Sequence, residues 1–283
     1  MDAQLLSAED LRLWPSGSGT RRLVIVKEDG REKGTKMGGF GVRDDGGPGE
    51  LAGTRVDRLI GVWSARVIFA IGIAYVVTLT SGFVSLGNLH DPLKDPYLAI
   101  AELLTILSAL AMVMLMVAIH ACAPHRARTF SMTALGWMLA TAALTMTVHF
   151  VQLTVARRID PSTVPGFDRL FGWHWPSMMW GFEIVAWDLF LGLSLVCAAP
   201  VFAGRRYVTV RRGLLVSGSF CLAGLLGPAL NAMAWRELGI FGYSVILPLT
   251  CLALSRAFAS APWPIADRSR HDDSVIRSEV SLV

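Results

Sequence analysis

The sequence predicts an all-α, polytopic integral membrane protein: a bundle of six transmembrane helices with both termini in the cytoplasm. The first indication is composition, since 53% of the residues are hydrophobic and only 17% are charged, against about 25% charged in an average soluble domain. The second is a succession of six apolar stretches, each long enough to cross about 30 Å of hydrocarbon at about 1.5 Å per residue. A soluble fold can bury one or two such helices, but six in succession leave no polar face for water.

The predicted spans cover residues 67–86, 97–122, 130–155, 177–203, 213–235 and 240–258. The first of them contains no charged residue. We expect Pro228 and Pro248 to kink the fifth and sixth helices, because proline lacks the N–H that an α-helix needs in its interior. Kinks of this kind free backbone carbonyls near the middle of the membrane, an arrangement that transporters use and that ordinary membrane helices also contain.

Orientation is predicted from the basic residues near the ends of the spans, because cytoplasmic loops carry an excess of Lys and Arg. With the N-terminus inside, the cytoplasmic side carries Arg55, Arg58, Arg66, Arg126, Arg128, Arg205, Arg206, Arg211, Arg212, Arg256, Arg268 and Arg270. The opposite side carries Lys94, Arg157, Arg158, Arg169 and Arg236. The asymmetry predicts a cell membrane protein, in the plasma or inner membrane, with both termini cytoplasmic. The net charge of +4 then reflects topology rather than nucleic-acid binding.

The regions that flank the bundle differ from it in composition. Residues 1–54 are rich in glycine and are predicted to form a disordered cytoplasmic tail. One run within this tail, residues 21–30, alternates enough for a strand and a turn, but an isolated hairpin is marginal in water. Residues 55–66 are predicted to be an amphipathic segment at the membrane interface, and residues 261–283 a second disordered tail.

The longest predicted external loop, residues 156–176, is rich in Trp and Phe. Such a loop is expected to lie on the membrane surface or to fold over the helix ends. Its role is then either that of an interfacial anchor or that of a lid.

Ionisable and polar side chains inside the spans are the candidate functional residues. A charged residue costs about 2.5–3.5 kcal/mol at the centre of a membrane helix, so such residues normally face a bundle interior or a wet cavity. Their depths, calculated at about 1.5 Å per residue, place all of them in the outer half of the membrane or at its middle. The candidates for ion or ligand binding are Glu102, His149, Glu183, Asp188, Asn231 and Tyr243.

Two helical patterns refine this set. Thr141, Thr145, His149 and Gln152 follow a spacing that places them on one stripe of the third helix. Glu183 and Asp188 are five residues apart, and five residues turn a helix by about 500°, so the two carboxylates point about 140° apart. They are not expected to form a matched pair; Glu183, which shares the depth of Glu102 and His149, is expected to join their cluster.

Three interpretations of the cluster are open. The polar groups form hydrogen bonds that hold the bundle together, or they bind an ion, proton or solute, or they hold a metal. Glutamate and histidine are suitable metal ligands, but the spacings HxxxH, HExxH and ExxH are absent. We therefore assign no metal and no cofactor.

The leading functional hypothesis is a small permease or a proton/cation-linked carrier with a polar site in the outer half of the membrane. Glu183 and Asp188 would bind or carry the charge, Glu102 and His149 would assist, and Asn231 with Tyr243 would orient the ligand. The alternatives are an integral-membrane enzyme acting on a lipid or quinone-like substrate and a non-catalytic scaffold or sensor. Expected partners are the lipid bilayer and a small solute, proton or cation, with no nucleic acid; homo-oligomer formation is left open.

Overall fold

The computed structural model describes residues 11–15, 21–25, 53–86 and 93–260. The predicted disordered tails, 1–54 and 261–283, fall mostly outside these ranges. The chain divides into two compact units, Met1–Arg43 and Asp44–Val283. In the first unit, strands β1 (Leu11–Pro15) and β2 (Arg21–Ile25) pair antiparallel with Leu11 opposite Ile25. Strand β2 therefore lies in the alternating run that the sequence singles out.

The second unit is helical and confirms the predicted bundle. Six segments are long and apolar enough to cross a membrane: Arg55–Val84, Tyr97–Ala121, His125–Arg158, Met178–Phe202, Arg205–Ala229 and Met233–Ser260. Their α-helices are α1 (Arg55–Val84), α2 (Tyr97–Ala121), α3 (Arg128–Thr154), α4 (Phe167–Phe171), α5 (Met178–Glu183), α6 (Leu191–Ala198), α7 (Val208–Gly224), α8 (Leu226–Ala229), α9 (Arg236–Phe241) and α10 (Leu247–Ser260). Helix α4 lies in the loop between the third and fourth spans, and the other nine form the six spans.

Helix α1 begins twelve residues before the predicted first span. Thr54 and Asp57 form a capping box at its start: the Thr54 hydroxyl accepts from the Asp57 amide, and the Asp57 carboxylate accepts from the Thr54 amide at 2.8 Å. Such a reciprocal pair satisfies two backbone donors that a helix start leaves free. Residues 55–66 are therefore the first turns of a 30-residue helix. At about 1.5 Å per residue this helix is about 45 Å long and extends beyond the hydrocarbon layer.

The six spans form a closed ring. Each span packs against the next along the chain, and α10 closes the ring against α1. At one end, here named the Asp95 end, Arg157 forms an ion pair with Asp95. At the opposite end, the His125 end, Arg206 donates to the carbonyl of Ser260. The start of α1 lies at the His125 end as well, where Gly61 packs against Phe258 of α10.

An apolar layer fills the ring on the side of the His125 end. It consists of buried leucine and methionine side chains from five spans: Leu115, Met116, Met138, Leu195, Leu214 and Leu254. No polar side chain lines the small gap that remains between them in the described structure. This layer, named the Leu/Met layer below, separates the two ends of the bundle.

Two spans contain a stretch of π-helix, in which each amide N–H bonds to the carbonyl five residues earlier instead of four. In the fourth span it covers Ile184–Phe190, between α5 and α6, and in the sixth it covers Gly242–Ile246, between α9 and α10. The second stretch comes directly before Pro248, which has no N–H to offer the carbonyl of Ser244. A π-helical stretch therefore ends two residues before Pro248, the position at which the sequence predicts a kink. Such stretches occur mostly as single insertions in α-helices and often at functional sites.

The fifth span ends earlier than predicted, and this corrects the placement of Asn231. Helix α8 ends at Ala229, and Asn231 is exposed in the following turn with a left-handed φ of 51°. The amide of Ala232 bonds to the carbonyl of Gly227 at 2.9 Å and the amide of Asn231 to that of Pro228 at 3.3 Å. This is the Schellman pattern that ends helices, with Asn231 at the position that needs the left-handed conformation. The prediction that Asn231 lies inside the fifth span is wrong.

We expect the backbone of residue 231, rather than its amide side chain, to matter. Asn231→Ala should lower the free energy of unfolding by about 1 kcal/mol, because a Cβ without a local hydrogen bond is strained at this φ. Asn231→Gly should be as stable as the original, because glycine adopts this conformation readily. Thermal unfolding of the purified protein in detergent measures both. A stable alanine variant together with an unstable glycine variant would contradict the assignment.

Candidate functional site

Three buried ionisable side chains from three spans meet near the Asp95 end. Glu102 lies on α2, His149 on α3, and Glu183 is the last residue of α5. They are 3%, 6% and 8% exposed. His149 lies between the two carboxylates: its Nδ1 hydrogen bonds to Glu102, and its Nε2 is 3.1 Å from Oε1 of Glu183. These residues are named the Glu–His–Glu triad.

The third helix directs His149 into the bundle through the predicted polar stripe. Thr141, Thr145, His149 and Gln152 are all buried, which confirms that they share the inward face of α3. Thr141 satisfies its hydroxyl by donating to the carbonyl of Trp137, one turn earlier, at 3.0 Å. Gln152 instead reaches the loop beyond the helix and donates to the carbonyl of Phe171 at 2.7 Å. The stripe therefore faces the bundle interior and, through Gln152, anchors the covering loop.

The loop between the third and fourth spans covers the triad with Trp173. The indole Nε1 donates to Glu102 Oε1 at 3.0 Å, and the ring centroid is 5.6 Å from that of His149. Ser177 supports this position, because its hydroxyl donates to the carbonyl of Gly172 and accepts from the amide of Trp180 at 3.2 Å. These contacts place Trp173 over the triad.

A second buried pair joins the fourth and sixth spans. Asp188, in the π-helical stretch, is fully buried, and Arg236, at the start of α9, is 4% exposed. Arg236 Nε is 3.6 Å from Asp188 Oδ2, an ion-pair distance too long for a hydrogen bond. The guanidinium also lies over the ring of Trp180, with Cζ 4.3 Å from the centroid. Glu183 and Asp188 thus serve different partners, as their angular separation predicts.

The backbones of two spans press against the Asp188 carboxyl group. A Cβ on Gly239 would lie 2.2 Å from Asp188 Oδ1, and a Cβ on Gly224 would lie 3.0 Å from its carboxyl carbon. Only glycine allows this approach, since any larger residue would overlap the carboxylate. Neither oxygen of Asp188 has a hydrogen-bond partner in the described part of the chain. The Asp188–Arg236 pair is therefore enclosed by α7 and α9 and closed to a ligand.

The triad opens onto a cavity of about 120 Å³. Its wall combines His149 and Glu183 with the aromatic side chains of Tyr75, Trp187 and Tyr243. The remaining wall includes three hydroxyl side chains and a majority of apolar residues: Thr105, Ser108, Ser244, Ile68, Ile71, Gly72, Val76, Leu104, Met112, Leu247 and Pro248. The cavity is thus polar at the triad and mainly apolar elsewhere.

The structure brings together four of the six predicted site residues. Glu102, His149 and Glu183 form the triad, and Tyr243 lies on the wall of the same cavity. Asp188 is buried nearby but is held by Arg236. Asn231 does not take part, because it lies in the turn after α8.

Three residues of the site are not predicted from the sequence, each for a physical reason. Arg236 was counted as an outer-loop residue, although a basic residue directly before an apolar span can equally pair with a carboxylate inside it. Trp173 belongs to the aromatic loop 156–176, and only the three-dimensional path of this loop brings it to Glu102. Tyr75 offered a signal: a lone tyrosine in the middle of a span carries a hydroxyl that needs a partner away from lipid.

The triad can exchange a proton or bind a cation. Both ring nitrogens of His149 face carboxylates, so either the imidazole is protonated or one of the two glutamates is. Both arrangements contain the same number of protons and leave one negative charge in excess. Across the described residues, no group of three or more His, Cys, Asp or Glu side chains is arranged to hold a metal ion.

We expect the indole N–H of Trp173 to stabilise Glu102. Trp173→Phe should lower the free energy of unfolding by about 1–3 kcal/mol, because it removes the donor from a buried carboxylate oxygen. Trp175→Phe is the matched control in the same loop; Trp175 is 36% exposed, so its replacement should change stability by less than about 0.5 kcal/mol. Thermal unfolding in detergent compares the two, and equal losses would refute the role of the hydrogen bond.

Asp188 and Arg236 should behave as a coupled pair. Asp188→Ala should cost about 3–5 kcal/mol, because it leaves a buried guanidinium without its counter-charge. The double variant Asp188→Ala with Arg236→Met should recover at least half of this loss, since it removes the unpaired charge as well. A double-mutant cycle on unfolding measures the coupling. Additive losses would show that the two side chains act independently.

Comparison with known proteins identifies no relative from which a function could be inferred. No protein-family model, no curated protein and no solved structure matches this chain. The geometry of the triad and its cavity is therefore the basis for assigning a function.

Proposed function

We propose that this multi-pass membrane protein is a small carrier that couples to a proton or a monovalent cation, bound at Glu183. One observation carries the proposal: Glu183 lies buried on the wall of the cavity and shares the counter-charge of His149 with Glu102. A buried carboxylate that shares one cation with a second carboxylate leaves negative charge uncompensated. A proton or a cation in the cavity supplies what the protein leaves missing.

The charge balance of the bundle supports this role. Asp188 and Arg236 neutralise each other, whereas the Glu–His–Glu triad has one carboxylate more than it has cations. An uncompensated charge is expensive in a low-dielectric interior. One proton on Glu183, or one monovalent cation beside it, makes the site neutral. The two species therefore compete for the same charge, which is the basis of exchange.

Asp188 has a different role in this proposal from the one expected from the sequence. Its carboxylate is enclosed by Gly224 and Gly239 and paired with Arg236, so it braces the fourth span against the fifth and sixth. Glu183 alone carries the transported charge, with Glu102 and His149 holding it in place.

The size of the cavity favours a small solute. At about 30 Å³ for each water, a cavity of about 120 Å³ holds roughly four water molecules. A lipid, or a quinone with its long tail, is much larger than this space. This favours a carrier over an enzyme acting on a lipid or a quinone.

The same proposal includes the location and orientation of the chain. We infer a cytoplasmic membrane with both termini in the cytoplasm, from the excess of arginine at the His125 end. The triad then lies in the outer half of the membrane. The Leu/Met layer then separates it from the cytoplasm.

Exchange can be measured in liposomes that contain the purified protein and a pH-sensitive dye. An inward gradient of Na⁺, K⁺ or tetramethylammonium should drive protons out faster than in empty liposomes. Glu183→Gln should slow this exchange by at least about tenfold, because the neutral amide cannot trade a proton for a cation. Glu237→Gln, which removes an exposed carboxylate beside Arg236, is the matched control and should keep the rate.

Two outcomes would refute the proposal. One is a rate equal to that of empty liposomes under every gradient. The other is full exchange by Glu183→Gln, which would show that the cavity-facing carboxylate is not the coupling group.

A further inference from the structure

We infer that the cation bound at Glu183 is a small alkylammonium ion rather than a metal ion. This inference rests on the proposed function and assigns the ligand of the same site. It depends on three properties of the cavity: its aromatic wall, its single carboxylate and its volume.

Three aromatic side chains share the wall of the cavity with the charged residues. Tyr75, Trp187 and Tyr243 line it together with Glu183, and the rings of Trp187 and Tyr243 lie 5.0 Å apart between centroids. Aromatic faces attract cations through their electron-rich centres, and groups of such rings recognise alkylated ammonium ions. A carboxylate with aromatic neighbours matches a cation whose charge is covered by carbon.

Apart from Glu183, the oxygen atoms on the described wall are neutral hydroxyls. Thr105, Ser108 and Ser244 each donate to a backbone carbonyl on their own helix. Glu102, the other carboxylate of the triad, already accepts from His149 and Trp173. A metal cation that sheds its water needs several oxygen ligands in return, and Glu183 is the one carboxylate on the described wall of the cavity. An alkylammonium ion sheds less water and places its methyl groups against the apolar residues.

The volume limits the number of alkyl groups. A cavity of about 150 Å³ accommodates benzene, and a cavity of about 120 Å³ is comparable in size. Tetramethylammonium is similar in size to benzene, whereas tetraethylammonium is much larger. The cavity therefore predicts a sharp upper limit within one chemical series.

The test is a binding series on the purified full-length protein in detergent, at constant ionic strength. Thermal stabilisation is measured with ammonium, methylammonium, trimethylammonium, tetramethylammonium, tetraethylammonium, Na⁺ and K⁺ as chlorides. Affinity should rise with each methyl group up to tetramethylammonium and be lost with tetraethylammonium. The neutral molecule tert-butanol, which is similar in size, should bind at least about tenfold more weakly than tetramethylammonium.

Variants assign the contacts. Glu183→Gln should weaken tetramethylammonium binding by about tenfold or more, the effect of losing one buried charge interaction. Tyr243→Leu should weaken it about three- to thirtyfold, and Tyr243→Phe should preserve it, because phenylalanine keeps the aromatic face. The comparison of Tyr243→Leu with Tyr243→Phe decides the test even if Glu183→Gln does not fold.

The outcomes separate this inference from the proposed function. If Na⁺ or K⁺ binds more tightly than tetramethylammonium and depends on Glu183, the ammonium assignment is overturned and the carrier proposal stands. Equal binding of tert-butanol, or loss of affinity in Tyr243→Phe equal to that in Tyr243→Leu, also overturns the assignment. If no cation binds and none drives proton exchange, both are refuted.

Discussion

The interior of this bundle depends on the pairing of buried charges. Inside hydrocarbon, a carboxylate has no water to stabilise it, so other protein groups must do so. His149 meets this requirement for Glu102 and Glu183 at once and thereby joins α2, α3 and α5 at a single point. Arg236 meets it for Asp188 and joins the fourth span to the sixth. Four of the six spans are therefore tied together by five side chains.

These pairings explain local features that packing alone would not require. The glycines at 224 and 239 leave room for the Asp188 carboxyl group, and the π-helical stretch Ile184–Phe190 contains this residue. Trp173 and Trp180 add an indole donor to Glu102 and an aromatic face to Arg236. The covering loop is thus part of the electrostatic balance of the bundle as well as of its surface.

Much of the architecture could be predicted from the sequence, because hydrocarbon imposes length and composition on every span. The meeting of Glu102, His149 and Glu183 could be predicted too, since residues at equal depth on packed helices lie close together. The end of the fifth span could not be predicted from hydropathy, which continues past Ala229; its signal was Asn231 after Gly227 and Pro228. The depth of Asp188 in its span does not identify its partner, so its pairing with Arg236 could not be predicted.

Helix α1 gives the cavity an asymmetric enclosure. Only 11% of its most apolar stretch is buried, the smallest share among the six spans, against 61% in the fourth. One side of α1 lines the cavity through Ile71 and Tyr75, while Ile73 and Val77 on the same turns are more than half exposed. The width of one helix, α1, therefore separates the cavity from the acyl chains. Helix α1 is therefore the part of the cavity wall that packing against the rest of the bundle covers least.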